Sequence, residues 1–460
     1  TVPNGQVISQ SPAAGTPVST TTPVNFVLSL GPLLIPVPDV GGLTQSLAEA
    51  AITSALLPVG AITTANSDTV PNGQVISQSP AAGTPVPLGS EVNLLVSSGG
   101  SQPPPSGSDF RTQVIKLTIP AGSNSVTVTT GFEPVEPTRT VALISGITQH
   151  ALGWTAETTQ DPAEISARVS LVNGTTLTAT RASSVNQTDT VWVLLIEYTG
   201  LPGGPNEMLV RDRRTHAWMA GQSSTTFNGP ISSISNPNKV VVFGGGTENP
   251  NTRKNQYDRG DVRAWIDETG VVNLARGDGN GAIVSSHQVV EFVGSNWNVQ
   301  TGDATPSPDP GSTDVLISDV TDVNTAWVYF TWSTNSANLD ERGHRVWLTS
   351  PTNLRVQEEA NGTGNKTIRW HVIHNPTIQV QSGAANNQLT TTTTGTITGF
   401  SAVADLDRAF AWVSGLTDGG GNAHPRDMWQ FELSDPLTIS LQRGRTGQEL
   451  SYRYFVVELP

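Results

Sequence analysis

From Phe110 onward, short alternating and fully apolar runs recur in a fixed order. An apolar run appears four times, as TVALISG at 140, KVVVFGGG at 239, TAWVYFTW at 325 and RAFAWVSG at 408. A loop of variable length follows, then a hairpin, then a closing strand: VWVLLIEY, HQVVEFV, TIRWHVIH or SYRYFVVEL. The hairpin reverses at Asn173-Gly174, Glu268-Thr269-Gly270, Ser350-Pro351-Thr352 or Ser434-Asp435-Pro436, residues that turn tightly at little cost. An alternating strand precedes each apolar run, SVTVTTG at 125, TDVLISDV at 313 and TGTITGF at 394; in the second unit it is weakly marked and is placed near Ile231 to Ser235. The closing strands are apolar at both parities, which predicts that they lie inside a sheet and not at a wet edge. The pattern predicts four β-sandwich units, at 110–200, 201–297, 298–376 and 377–460.

Polar positions recur as regularly. Arg168, Arg263, Arg345 and Gln430 are followed 13 residues later by Arg181, Arg276, Glu358 and Arg443, and 28 or 29 residues later by Glu197, Glu291, His374 and Glu458. Acid–base catalysis needs perturbed groups converging on one cleft, and a fourfold recurrence points instead to scaffold. Arg168, Glu197, Arg263, Glu291, Gln430 and Glu458 are therefore expected to form structural pairs within their units, fixing strand register. Of the 11 tryptophans, those in predicted strands belong to cores, whereas Trp154, Trp218, Trp297 and Trp332 fall at loops or strand ends and are the candidates for a ligand or subunit contact. The unequal loops at 146–164, 244–260, 333–342 and 415–426 are where specificity would reside.

Upstream the pattern changes. Residues 1–18, TVPNGQVISQSPAAGTPV, recur unchanged as residues 69–86. Between them Thr44 can cap a helix from Gln45 to Leu57, stopped by Pro58, with Leu47, Ala51, Ile52 and Leu56 on its apolar face. The rest reads as strands, predicting one helix on a three-stranded sheet. In order, VPDVGGLT, the helix AEAAITSA, the turn GQVISQSPAAGTPV and the strand VNLLVSSG resemble a PASTA domain. The resemblance makes 32–99 a complete copy and 1–31 the C-terminal half of another; 100–109 is a Pro/Gly/Ser linker. It implies an extracellular spacer or stalk and, as in some bacterial kinases and penicillin-binding proteins, association with cell-wall muropeptides. The downstream units resemble a repeat of tailed-bacteriophage structural proteins, carried by RAFAWVSG, ARVSLVNGTTLTATR, VVEF and IQVQSG. That resemblance implies a part of a virion.

Composition narrows the choice. A net charge of −14 and a pI near 4.9 disfavour nucleic acid and anionic membranes as partners. There is no cysteine, hence neither disulfide nor thiolate metal site. The seven histidines form no ligand pattern, Asp278-Gly-Asn-Gly281 and Asp418-Gly-Gly-Gly-Asn422 read as turns, and Arg259-Gly-Asp261 and Arg276-Gly-Asp278 as chance tripeptides. No Walker loop, G-x-S-x-G or H-E-x-x-H occurs, and no metal or cofactor is expected. No apolar run reaches 18 residues, and no basic n-region with an apolar core opens the chain.

These observations predict a mostly β chain of tandem Ig-like sandwiches preceded by small α+β PASTA domains. The expected function is a non-enzymatic virion structural protein (fibre, spike or capsid/tail decoration) with a PASTA stalk or anchor. Its partners would be other copies, other virion proteins and a cell-wall or surface glycan, and its location the virion or the extracellular space. The alternative is a bacterial cell-surface or extracellular protein that binds peptidoglycan or host glycans; a glycan hydrolase lacks an identifiable carboxylate pair.

Overall fold

The computed structural model describes residues 2–65, 70, 74–97, 108–150, 166–182, 188–227, 229–248, 261–277, 281–306, 311–334, 344–358, 366–385, 394–418, 429–443 and 450–460. They form two compact units, Thr1–Pro103 and Pro104–Pro460, and the chain is mostly β, as its alternating pattern predicts.

In the first unit, β1 (Val7–Ser11) and β2 (Asn25–Leu28) make one hairpin. β3 (Leu34–Pro36), α1 (Gln45–Ser54), β4 (Val59–Ala65), β5 (Val75–Ser79), β6 (Pro85–Pro87) and β7 (Val92–Ser97) make an α+β module. Its main sheet has the order β4-β7-β5, with β4 parallel to β7, and β3 pairs β6. Thr44 occupies the N-cap position with extended backbone, and the helix stops three residues earlier than expected. Its buried stripe is also rotated: Ala48, Ile52 and Leu57 are enclosed against Val75, Val92, Leu94 and Val96, while Leu47 and Leu56 are exposed. Ala48 and Ile52 are one turn apart and meet the sheet; Leu47 falls beside that stripe, and Leu56, with φ +62°, lies past the helix end.

The second unit repeats one six-stranded plan four times. It comprises β8 (Phe110–Ile119), β9 (Ser125–Val128), β10 (Thr140–His150), β11 (Ala167–Asn173), β12 (Thr176–Arg181) and β13 (Thr188–Tyr198); then β14 (Leu209–Trp218), β15 (Ser224–Thr226), β16 (Val240–Glu248), β17 (Arg263–Ile266), β18 (Val272–Ala275) and β19 (Ile283–Glu291). The third copy is β20 (Asn298–Ala304), β21 (Ser312–Leu316), β22 (Ala326–Thr334), β23 (His344–Ser350), β24 (Asn353–Glu358) and β25 (Lys366–His374). The fourth is β26 (Gln379–Ala385), β27 (Thr394–Ile397), β28 (Ala409–Asp418), β29 (Trp429–Asp435), β30 (Thr438–Arg443) and β31 (Leu450–Glu458). In every repeat the sixth strand lies between the first and third, and the fifth between the second and fourth. The closing strand is thus central, as its double apolar parity predicts. The second strand of repeat two is Ser224–Thr226, not 231–235; Ile231 and Ile234 instead pack from a bend onto that repeat's core.

The repeats are not separate beads. The fourth strand of each lies beside the third strand of the next: β11 bridges β16 at Arg168 and Gly246, and β29 bridges β10 at Gln430 and Gly146, so the last repeat closes on the first. Between repeats two and three the Ala264 amide donates to Thr331 Oγ1 at 3.1 Å. Between three and four the Arg453 guanidinium lies 4.2 Å from the Trp347 ring centre. Alternation along the third strand divides the cores. Ala142, Val242 and Ala411 enter their own sandwiches, whereas Val141 and Leu143, Val241 and Phe243, Trp327 and Tyr329, and Phe410 join one core shared by all four repeats.

Candidate functional site

The three polar markers have three different structural tasks, and the expected pairs within units are not the ones formed. Arg168 pairs with Glu248 of the next repeat at 2.8 Å, and Arg263 with Asp303 of the next at 3.0 Å. Both arginines stand at the start of a fourth strand, where the neighbour's third strand arrives, so the nearest carboxylate belongs to that neighbour. Gln430 has the same backbone position at the closing junction, opposite Gly146. The second marker ties down the turn between first and second strands. Arg181 donates to the carbonyls of Ser123 and Pro120 and pairs with Asp189; Arg276 donates to Gln222 and Met219 carbonyls at 2.7 and 2.9 Å.

The third marker holds the loop that enters the third strand. Glu197 accepts from the Glu136 amide at 2.6 Å and pairs with Arg111. Glu291, fully enclosed, accepts from the amides of Ser235 and Asn236 at 2.9 and 2.7 Å and pairs with Arg211. Glu458 accepts from the Ala404 amide at 3.0 Å and pairs with Arg408. Burial pushes the Glu197 carboxyl above its ordinary range, and Arg111 opposes the shift. Three carboxylates, each saturated by backbone donors and one guanidinium, form no acid–base centre. His374 stands where a carboxylate would, and burial pushes its imidazole below the ordinary histidine range.

Of the tryptophans singled out for a ligand or subunit contact, Trp218 and Trp297 are enclosed by their surroundings. Trp218 is 1% exposed, donates to Ser285 Oγ at 2.8 Å and lies beneath the Arg276 guanidinium. Trp297 is 3% exposed, donates to the Asn206 carbonyl and packs edge-on to Phe110 of the first repeat and Phe292 of the second. Trp332 is half-buried against Phe330 and His344. Trp218 and Trp297 sit at the ends of elements, but a turn covers the first and another repeat the second. Trp154 lies outside the described residues, as do Asp278, Asn280, Asn422, Arg259 and most of the four unequal loops. Of the two tripeptides, the described Arg276 and Asp261 are buried.

Two features escaped the pattern. Gln113, Gln300 and Gln381, on first strands, each grip the loop before the third strand, accepting from the amide and donating to the carbonyl of Glu133, Ser318 and Ser401 at 2.6–3.1 Å. A polar knot also joins the connections between repeats. Asn206 donates to Asp109 at 2.8 Å and accepts from Asn296 at 3.0 Å and Asn375 at 2.9 Å. The Asp109 amide in turn donates to the Pro460 carbonyl at 2.9 Å.

In the first unit the Gln78 amide joins the strand β5 to the segment before the helix: its Oε1 accepts from Val40 and its Nε2 donates to the Pro38 carbonyl, both at 2.8 Å. At the closing junction between repeats four and one there is a cavity of about 170 Å³, floored by Leu194, Phe410 and Phe431 and rimmed by Leu406, Val114 and Glu432. Among the described residues no group of side chains is arranged to hold a metal ion, and no helix is long and apolar enough to cross a membrane.

Comparison with known proteins bears on the first unit. A probable serine/threonine-protein kinase, PknB, of Corynebacterium glutamicum is 41% identical over 103 residues, 21% of this chain and 15% of the kinase. The serine/threonine-protein kinase PrkC of Bacillus subtilis is 38% identical over 101 residues, 22% and 15% of the two chains. The chain thus spans about 15% of the length of the curated relatives it matches. Among solved structures, the entire extracellular region of the Ser/Thr kinase PrkC from Staphylococcus aureus aligns with 32% of this chain and 45% of its own, at 23% identity and a TM-score of 0.19. Residues 35–98 match the PASTA domain family, and with the helix-on-sheet module found there, this part of the chain is a PASTA domain.

Proposed function

We propose that the protein is a non-enzymatic bacterial cell-surface or extracellular protein that attaches to peptidoglycan through its PASTA unit and carries the four-repeat β body as a rigid module. The PASTA domain at 35–98 is the observation that carries this reading, because that family is extracellular and wall-associated. The saturation of Glu197, Glu291 and Glu458 supports a scaffold over a catalytic role for the body. The same PASTA match supports this reading over a virion component.

The test is sedimentation of the whole chain with purified wall sacculi. Wild-type protein is expected to co-sediment. Ile52→Asp places a charge at a site of 0% exposure in the small PASTA core and is expected to abolish co-sedimentation without changing the β signal of the body. Failure of the wild type to bind, or equal binding by both proteins, would overturn the reading.

A further inference from the structure

Equivalent positions at two junctions differ in one respect. Where repeat two meets repeat one, Gln288 reaches across and clasps the edge of the third strand: its Oε1 accepts from the Ala142 amide at 3.0 Å, and its Nε2 donates to the Ala142 carbonyl. At the closing junction the register puts Ala411 where Ala142 stands, each two residues after the partner of the marker carboxylate. Leu194 takes the place of Gln288, each three residues before that carboxylate. Leucine brings neither donor nor acceptor, and both Ala411 and Leu194 face the 170 Å³ cavity. A third group also borders it: Ser145 Oγ is buried and has no hydrogen-bond partner among the described residues. An unmade hydrogen bond at a buried hydroxyl is costly.

We propose that this cavity is a binding site for a primary carboxamide on a short aliphatic chain, the group that a glutamine or isoglutamine residue carries. Gln288 is the internal template. A primary amide presents a carbonyl and an N–H on the same side, so it can meet the N–H and C=O of one strand residue together. A carboxylate lacks the donor. An N-alkylated amide in its trans form turns its N–H away from the carbonyl and cannot make both bonds. The methylenes of the guest would lie on Leu194, Phe410 and Phe431, with Ser145 Oγ as a further partner and Glu432 at the mouth. The volume suits a guest of about benzene's size. The inference goes beyond the wall-attachment reading and does not depend on it.

The experiment is titration of the whole chain with butyramide, following the methyl resonances of Leu194 and Val114. Saturable shifts are expected on the order of millimolar, as suits so small a ligand, with butyrate and N-methylbutyramide giving none. Leu194→Gln, which supplies the missing amide from within, is expected to abolish binding while the body stays folded. Should that variant not fold, Leu406→Trp at the 37% exposed rim is expected to block entry. Ser145→Ala is expected to weaken binding several-fold. Competition by dipeptides bearing glutamine or D-isoglutamine then identifies a protein or a wall-peptide source, the stronger competitor deciding. No saturable shift with butyramide, equal shifts with N-methylbutyramide, or undiminished binding by Leu194→Gln or Leu406→Trp would overturn the proposal.

Discussion

Glu291 meets three donors and a guanidinium at zero exposure. Glu291→Ala removes the acceptor and leaves Arg211 and two amides without it, so a loss of about 3 kcal/mol is expected in urea unfolding. Glu133→Ala, at an exposed side chain, should stay within about 0.5 kcal/mol. Histidine sets the acid limb. His287 and His371 are fully enclosed, and burial holds both neutral down to a pKa of about 3. Their folded values lie below the unfolded value of 6.5, so the stability they carry is complete above pH 6.5 and is lost as pH falls towards 3. The loss is about 1.4 kcal/mol per pH unit for each. Asp189, pushed up to about 6 by burial, acts in the opposite sense, losing stability as pH rises through that range. A comparison of wild type with His371→Gln isolates one histidine: the difference in unfolding free energy should change by about 1.4 kcal/mol per pH unit between pH 6 and 4. The markers show what a spacing can and cannot convey. Their recurrence was legible from sequence, but partners were not, because Arg168 and Arg263 take carboxylates from the next repeat and Glu197 takes Arg111 from a strand with no marked pattern.

At the scale of elements, first strands were the hidden ones. β8, β14, β20 and β26 flank the closing strands, but their sequences share little apolar alternation, and β14 contains a register shift between Val210 and Asp212. Three of them, β8, β20 and β26, share a polar grip, through Gln113, Gln300 and Gln381. The variable distance from each glutamine to its marker conceals it. Third and sixth strands, by contrast, are nearly continuous apolar runs, fourth and fifth strands alternate, and both patterns were legible. In repeats three and four the first strand also makes room for an aromatic ring: a Cβ on Gly302 would stand 2.5 Å from Trp370, and one on Gly383 2.4 Å from the Tyr454 hydroxyl. Gly302→Ala should therefore cost about 1–3 kcal/mol in thermal or urea unfolding, the Trp370 ring being buried. Trp218 and Trp297 were hidden for a related reason. A strand end looks wet in sequence, yet Trp297 is roofed by Phe110, nearly 190 residues away.

For the molecule as a whole, closure follows from which edges are shared. The interior of repeat three runs without a break into the common core, so residues 298–376 excised alone, with that face uncovered, are expected to lack the near-UV circular dichroism of folded tryptophans. The body should melt in one calorimetric transition and the PASTA unit in another; two or more transitions assigned to the body would contradict the common core. Asn206→Ala, which opens the knot of Asp109, Asn296 and Asn375, should lower the body transition by about 1–3 kcal/mol and leave the PASTA transition in place. The Asp109 amide and the Pro460 carbonyl are hydrogen-bonded, and Ser108 Oγ donates to the same carbonyl at 3.1 Å, so the body's first and last described residues touch. A circular permutant could join them through a short peptide and take its new ends from the connection between repeats two and three. The cycle of four repeats would remain closed, and the order of repeats in the gene would become a matter of convenience.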